Sequence, residues 1–256
     1  MKKHIRDLKV TRNRRLSPDY FILELQSFGE LPEMHPGQFA EVLVENTGNV
    51  FLRRPFSIHD VDYKENTFSI LIKIVGNGTR QLSYLEEGDY LDVMFPLGRP
   101  FSINGTGNYL LVGGGCGVAP LLFLAKRLNE KGLPPAILIG GKTSEDIPEQ
   151  EKYEEAGRLF ITTEDGSLGE HGLVIQHSLL TSSGEKFDRI YTCGPEAMMK
   201  AVGKYATSSG TDCEVSLENL MACGIGACLC CVVQTKEGHK CTCTDGPVFN
   251  LKELTW

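Results

Sequence analysis

The chain lacks the features that mark nucleic-acid-binding, secreted or membrane-spanning proteins. Its 256 residues carry a net charge of −7 at pH 7, and an acidic balance argues against nucleic acid, whose binding proteins usually present a basic surface. The first residues, MKKHIRDLKV, contain no apolar core of a signal peptide. The uncharged run 109–125 holds four glycines and a proline, which favours a strand, a loop and a helix over a membrane span.

Cysteine is scarce over most of the chain and concentrated near its end. Seven of the nine cysteines follow residue 212, so they do not form a disulfide framework spread through a secreted domain. We therefore expect a reducing, cytoplasmic compartment. The outlying Cys116 and Cys193, together with Cys213, are predicted to be inert buried thiols.

The terminal cysteines have the spacing of an iron–sulfur site. Cys223, Cys228 and Cys231 follow the pattern C-x4-C-x2-C of plant-type clusters. The fourth thiolate is Cys241 or Cys243, and we favour Cys243 because the Thr-Asp-Gly-Pro that follows it makes a tight turn. A cluster would make the chain an electron-transfer protein.

A zinc ion is the alternative occupant of the same cysteines. Cys228 and Cys231, joined by Cys241 and Cys243, could form a tetrahedral four-cysteine site. This arrangement leaves Cys223 without a role, so the cluster explains more of the spacing.

Residues 1–102 read as a β domain. Short β-branched or aromatic runs are separated by turn residues, among them those at 35–37, 46–49, 64–66, 76–78 and 96–98. Many short strands at such spacing predict a closed antiparallel barrel or a sandwich. Only residues 81–88 suggest a short helix.

Residues 103–212 alternate between strands and helices. The predicted strands are 108–115, 136–141, 158–166 and 188–194, and the predicted helices are 118–132, 142–157, 171–182 and 195–210. This alternation predicts a doubly wound parallel α/β domain. Residues 213–256 form a small cysteine module, whose start, 213–219, can also serve as the last strand of the sheet.

Two segments of the first domain are candidates for a flavin site. In the run 53–58, an arginine fork at Arg54 can clamp a pyrophosphate, while Ser57 can meet an isoalloxazine edge; an edge strand with solvent-facing arginines is the alternative. Further on, Gly78 and Thr79 lie in a glycine turn that opens the short helix, where free amides can bind diphosphate. A plain turn capped by Thr79 explains the same residues.

Two glycine loops are candidates for a dinucleotide site. The first contains Gly113, Gly114, Gly115 and Gly117 between a strand and a helix, although Val118 replaces the third glycine of the usual fingerprint. The second contains Cys193, Gly194 and Pro195, again between a strand and a helix. Both loops lie at the carboxyl ends of parallel strands, where such sheets bind ligands; tight turns that merely pack are the alternative.

Taken in chain order, these segments resemble the ferredoxin–NADP reductase superfamily over residues 1–212, with RPFS in the flavin barrel and GGGxGxAP and CGPEAM in the nicotinamide domain. The cysteine segment narrows the resemblance and extends it over the whole chain. Its sequences SLENLMACGIGACLCCVV and CTDGPVF are similar to those of the iron–sulfur electron-transfer subunits of NAD-dependent (class 1B) dihydroorotate dehydrogenases.

The resemblance implies FAD, one [2Fe-2S] cluster and NAD as cofactors. It also implies a catalytic FMN-containing dihydroorotate dehydrogenase subunit as partner, in a heterotetramer with two subunits of each kind, and a role in pyrimidine biosynthesis. Electrons would pass from dihydroorotate through the partner's flavin, the cluster and FAD to NAD⁺. FAD would be lined by Arg54, Pro55, Phe56, Ser57, Leu71, Ile72, Lys73, Gly78 and Thr79, and the cluster held by Cys223, Cys228, Cys231 and Cys243.

Three questions stay open on the residues alone. Cys230 stands where the resemblance leads us to expect glycine, so a further thiol adjoins the cluster. Lys142 follows the second strand of the sheet, where a 2′-phosphate could be read, and only the resemblance favours NAD over NADP. The chain could also be a related reductase subunit serving a sulfur, ferredoxin or hydrogenase partner, or a redox sensor without a nicotinamide site. In no case is a catalytic acid or base of its own predicted.

Overall fold

A computed structural model describes residues 2–45, 50–103 and 105–256. The turn predicted at 46–49 lies outside these described residues. The predicted fold class is confirmed: an antiparallel barrel is followed by a parallel sheet with helices and by a small cysteine-rich segment.

Six strands close the barrel in the order β1-β2-β5-β4-β3-β6, with all neighbours antiparallel. The strands are β1 His4–Arg15, β2 Tyr20–Gln26, β3 Phe39–Val42, β4 Arg54–Asp62, β5 Thr67–Lys73 and β6 Tyr90–Leu97. Both faces of β2 are buried, which explains its continuous apolar run. Phe21 and Leu23 point into the barrel, whereas Tyr20 and Ile22 pack against the second domain.

The short helix of the barrel, α1 Asn77–Leu82, begins four residues before the predicted segment 81–88, so that prediction is wrong in position. The cause is local. The Thr79 hydroxyl accepts hydrogen bonds from the amides of Val75 and Gly76, at 2.9 and 3.2 Å, and so satisfies backbone donors just ahead of the helix. Gly78 and Thr79 consequently lie within the helix.

A seven-stranded sheet forms the second layer, in the order β10-β9-β8-β7-β11-β12-β15. All neighbours are parallel except β15, which pairs antiparallel with β12. The strands are β7 Tyr109–Gly114, β8 Ala136–Gly141, β9 Arg158–Thr163, β10 Glu170–His171, β11 Arg189–Cys193, β12 Asp212–Ser216 and β15 Val248–Asn250, and the helices are α2 Ala119–Glu130, α3 Gln150–Ala156, α4 Ser178–Thr181 and α5 Glu196–Ser209.

Two of the predicted helices are shorter than expected. In place of one helix over 142–157, a 3-10 turn, Ser144–Asp146, precedes α3. Ile147, which precedes a proline, is extended, and Glu149 adopts a left-handed conformation with φ 51°. In place of one helix over 171–182, β10, a 3-10 turn and the four-residue α4 follow one another, because His177 has the extended ψ of 141°.

The terminal segment joins both larger parts of the molecule. Strand β12 runs across the predicted boundary at 212/213, and β15 returns to extend the sheet beside it. A hairpin of β13 Val232–Thr235 and β14 Gly238–Cys241 carries the last cysteines. Buried Cys231 and Cys243 pack against Phe39 and Met94 of the barrel. We propose the division into 1–102, 103–212 and 213–256 on functional grounds, with β12 shared between the last two.

A search of the described residues for a helix long and apolar enough to cross a membrane finds none.

Candidate functional site

A cavity of about 300 Å³ lies where the barrel, the parallel sheet and the terminal segment meet. The barrel contributes six of the nine residues predicted to line FAD, namely Pro55, Phe56, Ser57, Leu71, Lys73 and Thr79. The sheet domain contributes Cys116 and Ala119, and the terminal segment contributes residues 216–219, Met221 and Pro247. Residues from strands and helices of all three parts thus converge on one space, which fits a planar apolar ring with polar edges.

The other three predicted FAD residues lie around this cavity in different ways. Arg54 and Gly78 are neighbours, since a Cβ added to Gly78 would lie 3.6 Å from Arg54 Nε. The absence of a side chain at Gly78 therefore leaves room beside the guanidinium. Ile72 instead points its side chain into the barrel core, so only its backbone can face a ligand.

The cysteine loop directs backbone amides at its sulfurs. The Cys223 sulfur accepts from the amides of Ile225 and Cys228, at 3.5 and 3.4 Å, and the Cys228 sulfur accepts from the amide of Cys230 at 3.5 Å. These bonds, that from Ile225 foremost, lower the pKa of the Cys223 thiol. These amides therefore favour the thiolate form of Cys223, which is the form that binds iron.

Cys243 lies beside the cysteine loop. Its amide donates to the Cys231 sulfur at 3.4 Å, and its side chain is buried with that of Cys231. Cys241 packs against the same cluster but is only partly buried, and its own amide is engaged by the Asp245 carboxylate at 2.8 Å. Because Cys243 is buried beside Cys231 and donates its amide to that sulfur, it stays our choice of fourth ligand.

Among the described residues, no three or more Cys, His, Asp or Glu side chains lie close enough together to hold one metal ion. The exposed Cys230 lies two residues after Cys228 in the chain, and its sulfur receives no hydrogen bond among those described. Cys193 and Cys213 are buried as predicted, whereas Cys116 is only partly buried and lines the flavin cavity.

Two further features make the loop suitable for a cluster. Gly224 and Gly226 have left-handed φ values of 63° and 82° that other residues rarely adopt. A Cβ at Gly224 would lie 3.1 Å from the carboxyl of Glu41, a fully buried side chain whose two oxygens have no hydrogen-bond partner among the described residues. Burial raises the pKa of Glu41.

A second cavity, of about 330 Å³, follows the carboxyl ends of the parallel strands. Gly114, Gly115 and Pro195 of the predicted nicotinamide residues line it. Six further lining residues were not predicted from the sequence: Gly140, Asp146, Thr162, Glu164, Val174 and Met198. Gly140 and Thr162 could have been predicted, since each lies one residue before the carboxyl end of its strand, β8 or β9.

The remaining predicted nicotinamide residues hold the two glycine loops together. A Cβ at Gly117 would lie 2.3 Å from the Gly194 Cα, and one at Gly194, whose φ is 150°, would lie 3.0 Å from the Gly114 amide. Gly113 packs against Leu121, and Cys193 is buried at the end of β11. These four residues therefore shape the second cavity by close backbone approach and do not line it.

Lys73 lies between the two cavities and lines both. Its ammonium contacts Asp146 at 3.1 Å and lies 4.8 Å above the Tyr20 ring, whose hydroxyl donates to the same carboxylate at 3.1 Å. Burial opposes the charge on Lys73, but these hydrogen bonds raise its pKa above the ordinary value. The bridge joins β5 of the barrel to the segment after β8 at the point where the cavities adjoin.

Two family models match separate parts of the chain. Residues 218–255 match the family model described as the iron–sulfur cluster binding domain of dihydroorotate dehydrogenase B, and residues 111–204 match the oxidoreductase NAD-binding domain. The first match contains all the cysteines of the proposed cluster site. The second contains both glycine loops.

Relatives match along nearly the whole chain. The chain is 39% identical over 250 residues to the dihydroorotate dehydrogenase B (NAD(+)) electron transfer subunit of Caldanaerobacter subterraneus subsp. tengcongensis, covering 96% of each protein. It is 36% identical over 257 residues to the protein of the same description from Fusobacterium nucleatum subsp. nucleatum, covering 98% of each.

A solved structure is similar over almost the same extent. A chain from the NADH-dependent reduced ferredoxin-NADP oxidoreductase, studied for flavin-based electron bifurcation, matches with a TM-score of 0.89 and 34% identity. The match covers 97% of the present chain and 90% of the other.

Proposed function

This chain belongs to the family of electron-transfer subunits of dihydroorotate dehydrogenase B (NAD(+)), and from that premise we propose that it passes electrons from a partner catalytic subunit to NAD⁺. It is thus an oxidoreductase subunit, and the partner, which contains FMN, oxidises dihydroorotate in pyrimidine biosynthesis. A bound FAD would supply both kinds of transfer, two electrons as a hydride with nicotinamide and one electron at a time with a [2Fe-2S] cluster. The observation that carries the proposal is the flavin cavity, which adjoins both the nicotinamide cavity and the cysteine segment.

The residues of this chain divide that work between them. Pro55, Phe56 and Ser57 hold one edge of the flavin site, and Arg54 beside Gly78 can hold its diphosphate. Cys223, Cys228, Cys231 and Cys243 hold the cluster. Gly114, Gly115 and Pro195 form the floor against which NAD lies.

The partner is proposed to dock over the cysteine loop. Leu220, Ile225 and Leu229 are 80%, 49% and 63% exposed around the exposed Cys228, and an apolar surface of this kind is typical of protein interfaces. The position is also right for electrons, which must leave close to the protein surface. We propose a heterotetramer with two subunits of each kind and, because thiolate ligands need reducing conditions, a cytoplasmic location.

The docking surface is tested by co-purification of the full chain with the partner subunit. Leu229→Glu should abolish recovery of the complex while FAD and iron contents stay at the wild-type level. Phe28→Glu is the matched control, because Phe28 is 75% exposed and stacks on Tyr90, at the end of β6 remote from the cysteine loop. Equal recovery of partner with both variants would place the interface elsewhere.

The ferredoxin-linked relative of known structure favours one alternative, a reductase subunit that serves ferredoxin. The two functions differ in the electron donor that reduces NAD⁺. The complex isolated from its native cell should reduce NAD⁺ with dihydroorotate; reduction with reduced ferredoxin, and none with dihydroorotate, would establish the alternative. A visible spectrum with flavin bands alone would favour zinc, and absence of NADH oxidation with a dye would favour a sensor.

A further inference from the structure

A fully buried histidine joins the barrel to the nicotinamide domain. His59 lies on β4, two residues beyond Ser57 of the flavin cavity, and its side chain has no solvent exposure. Its Nδ1 is 2.8 Å from the Ala119 carbonyl oxygen, and its Nε2 is 2.7 Å from a carboxylate oxygen of Glu149. One imidazole thus contacts two separate segments of the second domain.

Both segments matter to the proposed site. Ala119 is the first residue of α2, directly after the turn Gly115–Val118 that forms part of the nicotinamide loop, and it also lines the flavin cavity. Glu149 precedes α3 and is held there in a left-handed conformation. The histidine therefore ties the strand that carries the flavin residues to the loop on which the nicotinamide lies.

The hydrogen-bond partners fix the orientation of the ring. A carbonyl oxygen only accepts, so Nδ1 is the donor to Ala119. The Glu149 carboxylate also contacts the Arg14 guanidinium and, at 2.8 Å, the Lys152 ammonium, and two cations on one buried carboxyl keep it ionised. The contact of Nε2 with this carboxylate ties the ring to the segment just ahead of α3.

The ionisable groups around the ring are themselves paired. Burial acts to raise the pKa of Glu149, yet the bonds from His59 and Lys152 hold it at about 2. The adjacent Asp60 is occupied by Lys126 at 2.5 Å, and the hydroxyl of nearby Tyr153 donates to the Val118 carbonyl at 2.9 Å. No other titratable group among the described residues contacts the ring.

We propose that His59 is a positioning residue for hydride transfer, because its hydrogen bond to Ala119 sets the separation between the flavin cavity and the nicotinamide loop. This inference rests on the proposed function, in which a hydride, two electrons and one proton, moves between nicotinamide and flavin. The rate of such a transfer is sensitive to a displacement of about 1 Å, which can change it by about 100-fold.

The two hydrogen bonds of the ring can be separated by substitution. In His59→Asn the amide nitrogen takes the place of Nδ1 and can still donate to Ala119; in His59→Gln it takes the place of Nε2 and can still donate to Glu149. His177→Gln is the matched control, because His177 is also buried, lies 3.5 Å from Glu170, and has no partner in the barrel among the described contacts.

The measurement is single-turnover reduction of the flavin by NADH in the full-length holoprotein, expressed per bound FAD. We expect His59→Gln to slow it about tenfold or more, with a KM for NADH close to that of the wild type. His59→Asn, which keeps the bond to Ala119, should be slowed less than His59→Gln, and His177→Gln should stay within about threefold of the wild type. A His59→Gln rate equal to that of the control would overturn the inference. Failure of the wild-type flavin to accept electrons from NADH would instead refute the proposed function.

Discussion

The close approach of the two glycine loops leads to a severe prediction for Gly117→Ala. The new Cβ would lie 2.3, 2.5 and 2.6 Å from Gly194 Cα, Gly194 N and Cys193 C, whereas non-bonded carbon atoms rest at about 3.5 Å or more. All three neighbours are backbone atoms, so no side chain can rotate away. The loops must therefore separate by roughly 1 Å, which is the difference between these distances and an ordinary non-bonded contact.

A separation of this size displaces the floor of the nicotinamide cavity relative to the flavin. We expect kcat/KM for NADH with a dye acceptor to fall about 100-fold, equivalent to about 2.7 kcal/mol. Iron content should remain at the wild-type level, because the three atoms nearest to the new Cβ belong to Cys193 and Gly194 and none to the cysteine loop. The assay is steady-state NADH oxidation, normalised to bound FAD.

The control for this variant is Gly29→Ala. Gly29 lies in a barrel loop, and a Cβ there would meet only the Arg6 guanidinium at 3.9 Å, an ordinary contact. This variant should keep wild-type kinetics. If Gly117→Ala oxidised NADH within threefold of the wild-type kcat/KM, the two loops would not form the nicotinamide site.

Three further predictions concern the other parts of the chain. Cys228→Ser should lose iron but keep NADH-to-dye activity, whereas Cys230→Ser should keep its iron; the reverse pattern in iron analysis would exchange their roles. Arg54→Ala should lose FAD on extended dialysis through loss of a bidentate clamp, and full flavin occupancy would contradict this. Glu149→Gln should lower the free energy of unfolding at pH 7 by about 3 kcal/mol. Because the pKa of Glu149 falls from 4.5 to about 2 on folding, the wild type loses this stability as pH drops through that range, and denaturant titrations of the variant should lack that loss.

Much of the fold could be predicted because its signals are local. Strand β2 coincides with the apolar run 20–26, and α5 with the periodic segment after the second glycine loop. The cysteine spacing likewise depends on neighbouring residues, and the amides that point at the Cys223 sulfur come from the same loop.

The rest depends on contacts between distant segments. The left-handed Glu149 interrupts a pattern that reads as one long helix, and it is held by Arg14 and His59 from the barrel. Lys73 was placed at the flavin, but its second position at the nicotinamide cavity follows from Asp146, far along the chain. No local pattern records that β15 returns to pair with β12.

The central claim is that electrons move between NADH and the cysteine-bound cluster through the flavin cavity. The most direct test is an anaerobic titration of the reconstituted full chain with NADH alone, followed by electron paramagnetic resonance. The account predicts bleaching of the flavin and then the signal of a reduced [2Fe-2S] cluster, about one spin per chain. Complete bleaching of the flavin with no cluster signal, in protein of full iron content, would contradict it.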